Sequence, residues 1–232
     1  MKPQSALETA FQKGKQAAWQ NRWPGVALWL FGVVIVVGYF AFDPIRDGLE
    51  KIGDIKTRIG LPFGIISTAI FGGLLPSLLK LLTDRKVPPK FAAIFVGNLI
   101  FWALKGVEID LFYRFQAWTF GDDNSVTTIA LKVLVDIALY GPFIGLLGCV
   151  LFYIWQDNDY SFLKTRTSLG PNWYVRKVLP ALITNWCVWI PAVIVIYTLP
   201  LALQLPVQNL ILCFWVLVLV FFTTEETVAE ES

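Results

Sequence analysis

The sequence has no histidine among its 232 residues and only three cysteines. Cys149, Cys187 and Cys213 all lie within apolar runs and have no CxxC spacing. The lack of histidine removes most zinc, haem and Cys–His chemistry, so we expect neither a metal site nor a cofactor. The same positions argue against a disulfide framework, and the cysteines are best interpreted as small apolar packing residues.

Charged residues are also scarce, at 16% of the chain, whereas a soluble domain carries about 25%. The net charge is only +2 and no run of basic residues is present, so we expect no nucleic acid as a partner. The sequence has no nucleophile–base pair and no phosphate-binding loop, and no second acid accompanies Asp136 within an apolar run. We therefore do not expect an enzyme.

Long apolar runs account for most of the chain. Hydrophobic residues make up 56% of it, and the mean hydropathy is +0.62. The apolar segments are 23–42, 59–79, 91–104, 126–155, 178–200 and 201–223. Most of these six are long enough to cross a bilayer, which takes about 20 residues. The sequence therefore predicts an all-α protein, a polytopic transmembrane helical bundle with the lipid bilayer as its first partner.

This interpretation places a single transmembrane domain at residues 23–223. A polar N-terminal segment, 1–22, precedes it and an acidic C-terminal tail, 224–232, follows it. With six spans and the N-terminus inside, the inner segments hold twelve lysines and arginines and the outer ones hold seven. Because basic residues accumulate on the inner side of a membrane, this count favours a topology with both termini inside.

Two connecting segments have the three- to four-residue apolar spacing of amphipathic helices. The first follows Asp43 and the second lies between Lys105 and Gly121. Their apolar positions are Ile45, Leu49, Ile52, Ile55 and Ile59, and then Ile109, Phe112, Phe115 and Trp118. We expect both helices to lie at the membrane interface. Segment 91–104 is then short, and we interpret it as a tilted span or a re-entrant piece.

Small residues and prolines predict where the helices pack closely or bend. The positions are Gly60, Gly64, Gly141, Pro142, Gly145 and Pro191. Small residues four apart let helix backbones approach closely, so the glycines predict tight seams, within one chain or between chains. A proline inside an apolar segment bends the helix and frees a backbone carbonyl, which we expect mainly to improve packing.

Asp136 is the only acid inside an apolar segment, and Lys132 precedes it by four residues. One interpretation is an ion or solute site, or a charge at a pore mouth. The other is a structural ion pair between these two residues at the membrane interface. Asn98 and Asn185 are further polar groups at membrane depth. They are expected to form interhelical hydrogen bonds or, as the alternative, to line a polar cavity.

Several short patches resemble one family. The stretch PALITNWCVWIPAVIVIYTLPLALQLPVQNLILCFW has prolines, an Asn-aromatic step and tryptophans at Pro180, Asn185, Trp186, Trp189, Pro191, Tyr197, Pro200 and Trp215. These positions resemble the C-terminal signature of the Mpv-17 / 22-kilodalton peroxisomal membrane protein family. Further similar patches are LKVLVDIALYGP with Asp136 and Pro142, KIGDI with Gly53 and Asp54, and LLTDR with Asp84 and Arg85.

The chain also departs from the family pattern. One extra residue, Ile190, separates Trp189 from its proline, and Ile137 stands where the family has an amide. The connection 87–127 is longer than usual in the family. These differences are typical of a divergent branch, and a bacterial member is one interpretation.

The resemblance implies a small multi-pass protein of a bacterial inner membrane or of an organelle membrane, mitochondrial inner or peroxisomal. It implies a weakly selective channel or passive pathway for small solutes or ions, assembled as a homo-oligomer because one small bundle leaves little lumen. Under this hypothesis the residues that line or gate the pathway are Asp136, Lys132, Asn185, Trp186 and Asn98. The alternatives are a non-conducting protein that organises membranes or assemblies, and a proton-coupled carrier of small solutes. Access of thiol reagents to Cys187 would separate a pore from a packed bundle.

Overall fold

The computed structural model of the chain describes residues 5–84, 87 and 89–231, so Arg85 of the LLTDR patch lies outside the described residues. The described part is almost wholly helical and contains no strand. Its α-helices are α1 Ala6–Gln20, α2 Arg22–Ala41, α3 Asp43–Ile59, α4 Leu61–Thr68, α5 Leu75–Asp84, α6 Phe91–Phe120, α7 Val126–Val135, α8 Leu146–Asp157, α9 Phe162–Leu169, α10 Leu179–Tyr197 and α11 Leu201–Glu231. The predicted all-α bundle is confirmed.

Three π-helical segments interrupt or extend these helices. Ala69–Leu74 joins α4 to α5, Asp136–Gly145 joins α7 to α8, and Tyr174–Val178 precedes α10. A π-helical turn adds one residue to the ordinary turn and often occurs at functional sites. The segment Asp136–Gly145 is the longest of the three and begins at the acid singled out by the sequence.

Within the described residues, five continuous helical stretches are long and apolar enough to cross a membrane. They are Arg22–Ala41, Leu61–Leu82, Phe91–Phe120, Val126–Asp157 and Tyr174–Tyr197. The sixth predicted segment corresponds to the shorter apolar stretch Leu201–Leu217. Many large apolar side chains on these helices point outwards, for example Leu30, Val34 and Phe143, which are 62%, 65% and 62% exposed. Apolar surface on this scale is typical of a protein that lies in a membrane.

Helix α6 corrects the prediction for residues 91–120. It is one helix of 30 residues, Phe91–Phe120, instead of a short segment followed by a separate interfacial helix. No proline interrupts it, and its polar residues Lys105, Asp110 and Gln116 are buried against other helices. These three polar positions therefore face protein and not water, which allows the helix to continue within the bundle.

Helix α3 is the predicted amphipathic helix, and a buried cation attaches it to the bundle. It has a proline in its first turn and ends before Gly60, whose φ is +72°. Its Lys56 ammonium lies 3.0 Å from the Asp110 carboxylate and donates to the Leu201 carbonyl at 3.4 Å. A Cβ at Gly60 would have no atom within 4 Å. Gly60 therefore serves the turn and does not take part in a helix seam.

The small residues of α4 form a close seam with α6 within one chain. A Cβ added to Gly64 would lie 3.0 Å from the Gly106 carbonyl oxygen, and one added to Gly106 would meet the backbone of Gly64 and, at 3.0 Å, the Thr68 side chain. Thr68 is fully buried and exchanges hydrogen bonds of 3.1 and 3.2 Å with the amide of Asn209 on α11. Glycine at 64 and 106 is thus what brings α4 and α6 into backbone contact.

The polar N-terminal segment contains a helix that packs on the bundle. Ser5 and Glu8 form a reciprocal capping box at the start of α1, and Gly14 of α1 lies against Ile183 of α10. At the same end of the bundle, Lys90 and Lys164 both bind Asp159, and the hydrogen bonds from these two lysines lower the pKa of Asp159. We call this end the α1 end, and the opposite end, which carries α3, the α3 end.

Candidate functional site

A cavity of about 510 Å³ lies between α6, the π-helical segment Asp136–Gly145 with α8, α10 and α11. Aromatic side chains form most of its wall, among them Trp102, Tyr113, Tyr140, Trp189 and Trp215. Its charged lining residues are Lys105 and Asp136. Cavities between the helices of a bundle are common places for ligand sites.

The positive charge of Lys105 is paired. Its side chain is 5% exposed, and its ammonium forms an ion pair with Glu108, one turn further along α6. The same ammonium donates to the Gly145 carbonyl at 3.2 Å, and the Tyr140 hydroxyl donates to Glu108 at 2.8 Å. Lys105 and Glu108 together therefore add no net charge to the wall of the cavity.

The negative charge of Asp136 has no cation beside it in the described part of the chain. Its Oδ2 accepts a hydrogen bond of 2.7 Å from the Tyr197 hydroxyl, which in turn accepts one of 2.6 Å from the Gln116 amide. Lys132 forms no ion pair with Asp136. Its ammonium lies instead 3.7 Å from the Asp122 carboxylate. Helical side chains lean towards the helix N-terminus, so the Lys132 side chain extends away from Asp136. The structural ion pair considered for these two residues is not formed.

Pro142 explains how the π-helical segment is held at the cavity wall. Proline has no N–H, so in the i to i−5 pattern it leaves the Ile137 carbonyl without its backbone donor. The indole N–H of Trp186 donates to this carbonyl at 3.0 Å, and the Tyr174 hydroxyl donates to the Pro142 carbonyl at 3.1 Å. Trp186 thus supports the wall that carries Asp136, and it does not line the cavity itself.

Beyond the cavity, towards the α3 end, lie buried polar residues. Each of the four helical stretches around the cavity carries one such residue, one helical turn closer to the α3 end than its nearest lining residue. Each of these side chains is at most 1% exposed. We call these residues the polar layer; they are Gln116, Lys132, Tyr197 and Gln204. Among the described side chains, the amide oxygens of Gln116 and Gln204 have no hydrogen-bond partner. The layer is therefore buried, and these two oxygens accept no hydrogen bond from the described protein groups.

The cavity brings together some of the predicted pathway residues and not others. Asp136 and Asn185 line it, as do Gly141 and Gly145, whereas Pro142 is buried behind the wall. Pro191 lies inside α10. Asn98 lies elsewhere in the bundle, where it donates to Ser77 at 3.3 Å and accepts from Gln156 at 2.9 Å.

Residues of α6 were missed by sequence reasoning because 105–120 was interpreted as an interfacial helix. Lys105, Ile109, Phe112, Tyr113 and Gln116 recur at helical spacing and share the face of α6 that meets the cavity and its polar layer. A face that mixes a cation, an amide and aromatics was the signal that could have identified them. Within the described residues, no group of three Cys, Asp or Glu side chains is placed to hold a metal ion.

Cys149, and not Cys187, reports on access to the cavity. Cys149 lines it, whereas Cys187 is exposed in a separate surface groove. We expect Cys149 in a folded Cys187→Ser/Cys213→Ser protein to react with one molecule of methyl methanethiosulfonate, a small neutral thiol reagent. Mass spectrometry measures the label, and the additional change Cys149→Ser should abolish it. Labelling only after denaturation would mean that the cavity does not admit water-soluble molecules.

The chain was also compared with known proteins. No family model, no curated protein and no solved structure matches it. The resemblance to the Mpv-17 / 22-kilodalton peroxisomal membrane protein family therefore stays a prediction, and the functional argument depends on the cavity.

Proposed function

We propose that the protein is a multi-pass integral membrane protein that provides a passive, weakly selective pathway for small solutes and prefers cations. Five apolar helical stretches of spanning length support its place in a membrane. The cavity supports the pathway, since it lies between four helical stretches and carries polar groups among its aromatic side chains. All the residues that line the cavity come from a single chain, and the proposed pathway follows this one bundle.

The observation that carries the proposal is the Asp136 carboxylate. It is the one charge on the cavity wall that no described ion pair compensates, because Lys105 is neutralised by Glu108. A charged group at membrane depth is costly and usually marks a solute or ion pathway. At an effective dielectric constant of about 20, a unit charge attracts a cation about 4 Å away by about 4 kcal/mol. Such an attraction is sufficient to favour cations over anions in the cavity.

The polar layer is the proposed gate. The amide oxygens of Gln116 and Gln204 accept no hydrogen bond from the described protein groups, so both are free to accept one from water. Water that enters the layer would satisfy both oxygens. The hydrogen-bonded chain from Gln116 through Tyr197 to Asp136 would then connect the gate to the charge that selects the solute.

The proposal is tested in proteoliposomes under a potassium chloride gradient. We expect the wild-type reversal potential to indicate a preference for potassium over chloride. Replacing Asp136 by asparagine removes the negative charge at nearly constant volume. The ratio of cation to anion permeability should then fall about tenfold, which corresponds to about 1.4 kcal/mol. The matched control is Asp157→Asn, which removes an exposed carboxylate from the end of the same helical stretch and should leave the ratio unchanged.

The other outcomes separate the alternatives. A tight membrane that contains folded, inserted protein would reject the pathway and favour a non-conducting, organising or assembly role. Flux that saturates with solute and depends on pH would favour a proton-coupled carrier with Asp136 as its coupling acid. The resemblance extends the proposal to a bacterial inner membrane or an organelle membrane, with both termini inside.

A further inference from the structure

A second cavity, a groove of about 550 Å³, lies on the surface where α1 meets α2 and both pack against α10. We call it the α1–α2 groove. Its lining includes Lys15 and Trp19 from α1, Arg22 and Trp29 from α2, and Val188 from α10. The groove is separate from the central cavity, with which it shares no lining residue.

The wall of the α1–α2 groove is apolar and held in place. The Trp29 indole N–H donates to the Val188 carbonyl at 3.1 Å. The polar atom of the ring is therefore hydrogen-bonded, and the apolar part of the ring lines the groove. Trp19, Val26 and Val188 extend the apolar surface. This wall suits a hydrocarbon chain better than a hydrated solute.

The rim of the α1–α2 groove is cationic. Lys15 and Arg22 are its charged lining residues, and no acid lines it among the side chains that the structure describes. The Arg22 guanidinium is oriented because it donates to the Trp19 carbonyl at 2.8 Å and lies 4.3 Å from the centre of the Trp19 ring. Lys15 is exposed and forms no ion pair within the described residues. Two cations that line the groove without a described acid beside them favour an anion at this rim.

The position of the α1–α2 groove matches the boundary of a membrane. Arg22 is the first residue of the candidate span Arg22–Ala41, and Trp19 and Trp23 beside it are 68% and 60% exposed. Exposed tryptophans near the end of a span are typical of the membrane interface. A ligand with an anionic head at Lys15 and Arg22 would therefore have its body beside Trp29, at the level of the hydrocarbon.

We propose that the α1–α2 groove binds a phospholipid with an anionic headgroup. The phosphate-bearing head lies between Lys15 and Arg22, and an acyl chain lies along Trp29 and Val188. The proposal depends on the membrane location of the protein and does not depend on conduction. Binding is measured on purified protein in detergent, so a failure of binding and a failure of flux are separate results.

The test is a titration, by native mass spectrometry, of detergent-solubilised protein with phosphatidylglycerol and with phosphatidylcholine of the same acyl chains. We expect wild type to prefer phosphatidylglycerol. In a Lys15→Gln/Arg22→Gln variant the affinity for phosphatidylglycerol should fall about thirtyfold, since each basic residue near an anionic lipid surface contributes several-fold. The matched control is Lys13→Gln, a lysine on the same helix that does not line the α1–α2 groove; it should bind as wild type does.

Two further arms keep the test decisive. If the double variant does not fold, Lys15→Gln alone is used, because this exposed lysine has no ion pair to lose and should still weaken binding several-fold. Inorganic phosphate is titrated in parallel and should not compete at millimolar concentration. Equal affinity for the two lipids, unchanged binding by the lysine variant, or phosphate binding as tight as lipid binding would each overturn the proposal.

Discussion

Replacing Gly106 by alanine should destabilise the bundle by about 3 kcal/mol, the upper end of the range for overpacked cores. The added methyl group would meet the backbone of Gly64 and, at 3.0 Å, the Thr68 side chain. A backbone cannot move aside as the end of a flexible side chain can, so α4 and α6 would have to separate. Thermal unfolding in detergent, followed by tryptophan fluorescence, measures the loss.

The control for this prediction is Gly48→Ala on α3. Gly48 is an exposed helical residue, and a Cβ there would have no atom within 4 Å. Because alanine favours helix by up to about 1 kcal/mol over glycine, this variant should be as stable as wild type or more stable. A Gly106→Ala protein that unfolds at the same temperature as the Gly48→Ala protein would contradict the close approach of α4 and α6.

Replacing Asp110 by asparagine should cost about 3–5 kcal/mol, the usual result of breaking a buried ion pair from one side. Asp110 is fully buried on α6, 3.0 Å from the Lys56 ammonium and 2.7 Å from the Arg114 guanidinium. Its Oδ1 meets Lys56 as a charge pair outside hydrogen-bond geometry. Without the carboxylate, the Lys56 side chain, 5% exposed, would keep only its contact with the Leu201 carbonyl.

A double-mutant cycle distinguishes the ion pair from simple packing. Lys56→Met removes the buried cation and keeps an apolar side chain, so adding it to Asp110→Asn should restore part of the lost stability. The control is Asp54→Asn, an exposed acid on α3, which should change stability by less than about 0.5 kcal/mol. Strict additivity of the two changes would mean that Lys56 and Asp110 do not interact, and that α3 is held by its apolar contacts alone.

Residue patterns predicted much of the architecture. The apolar runs identified the long helices, because an apolar stretch of about 20 residues can be recognised from its residue types alone. The amphipathic spacing around Leu49 and Ile52 predicted α3. The glycine spacing pointed to the side of α4 that meets α6, although Gly60 proved to belong to a turn.

The sequence did not predict which polar groups meet. Lys132 was considered as a partner for Asp136 because it precedes it by four residues, yet its side chain extends to Asp122. The partner of Asp136 is Tyr197, 61 positions later, and Tyr197 is also bound by Gln116, 81 positions earlier. Pairs this distant in sequence depend on how the helices are placed relative to one another, and a local sequence pattern cannot predict this placement.

The sequence by itself thus determined that the chain forms apolar helices and where most of them begin and end. These features follow from spacing along one segment and from the low content of charge. Only the tertiary structure decided that α6 is continuous, that Lys105 is neutralised by Glu108, and that Asp136 lines a cavity between helices with no ion pair among the described residues. The physical reason is that burial and pairing of a polar side chain depend on the neighbouring helices, which are distant in sequence and meet it only in the folded bundle.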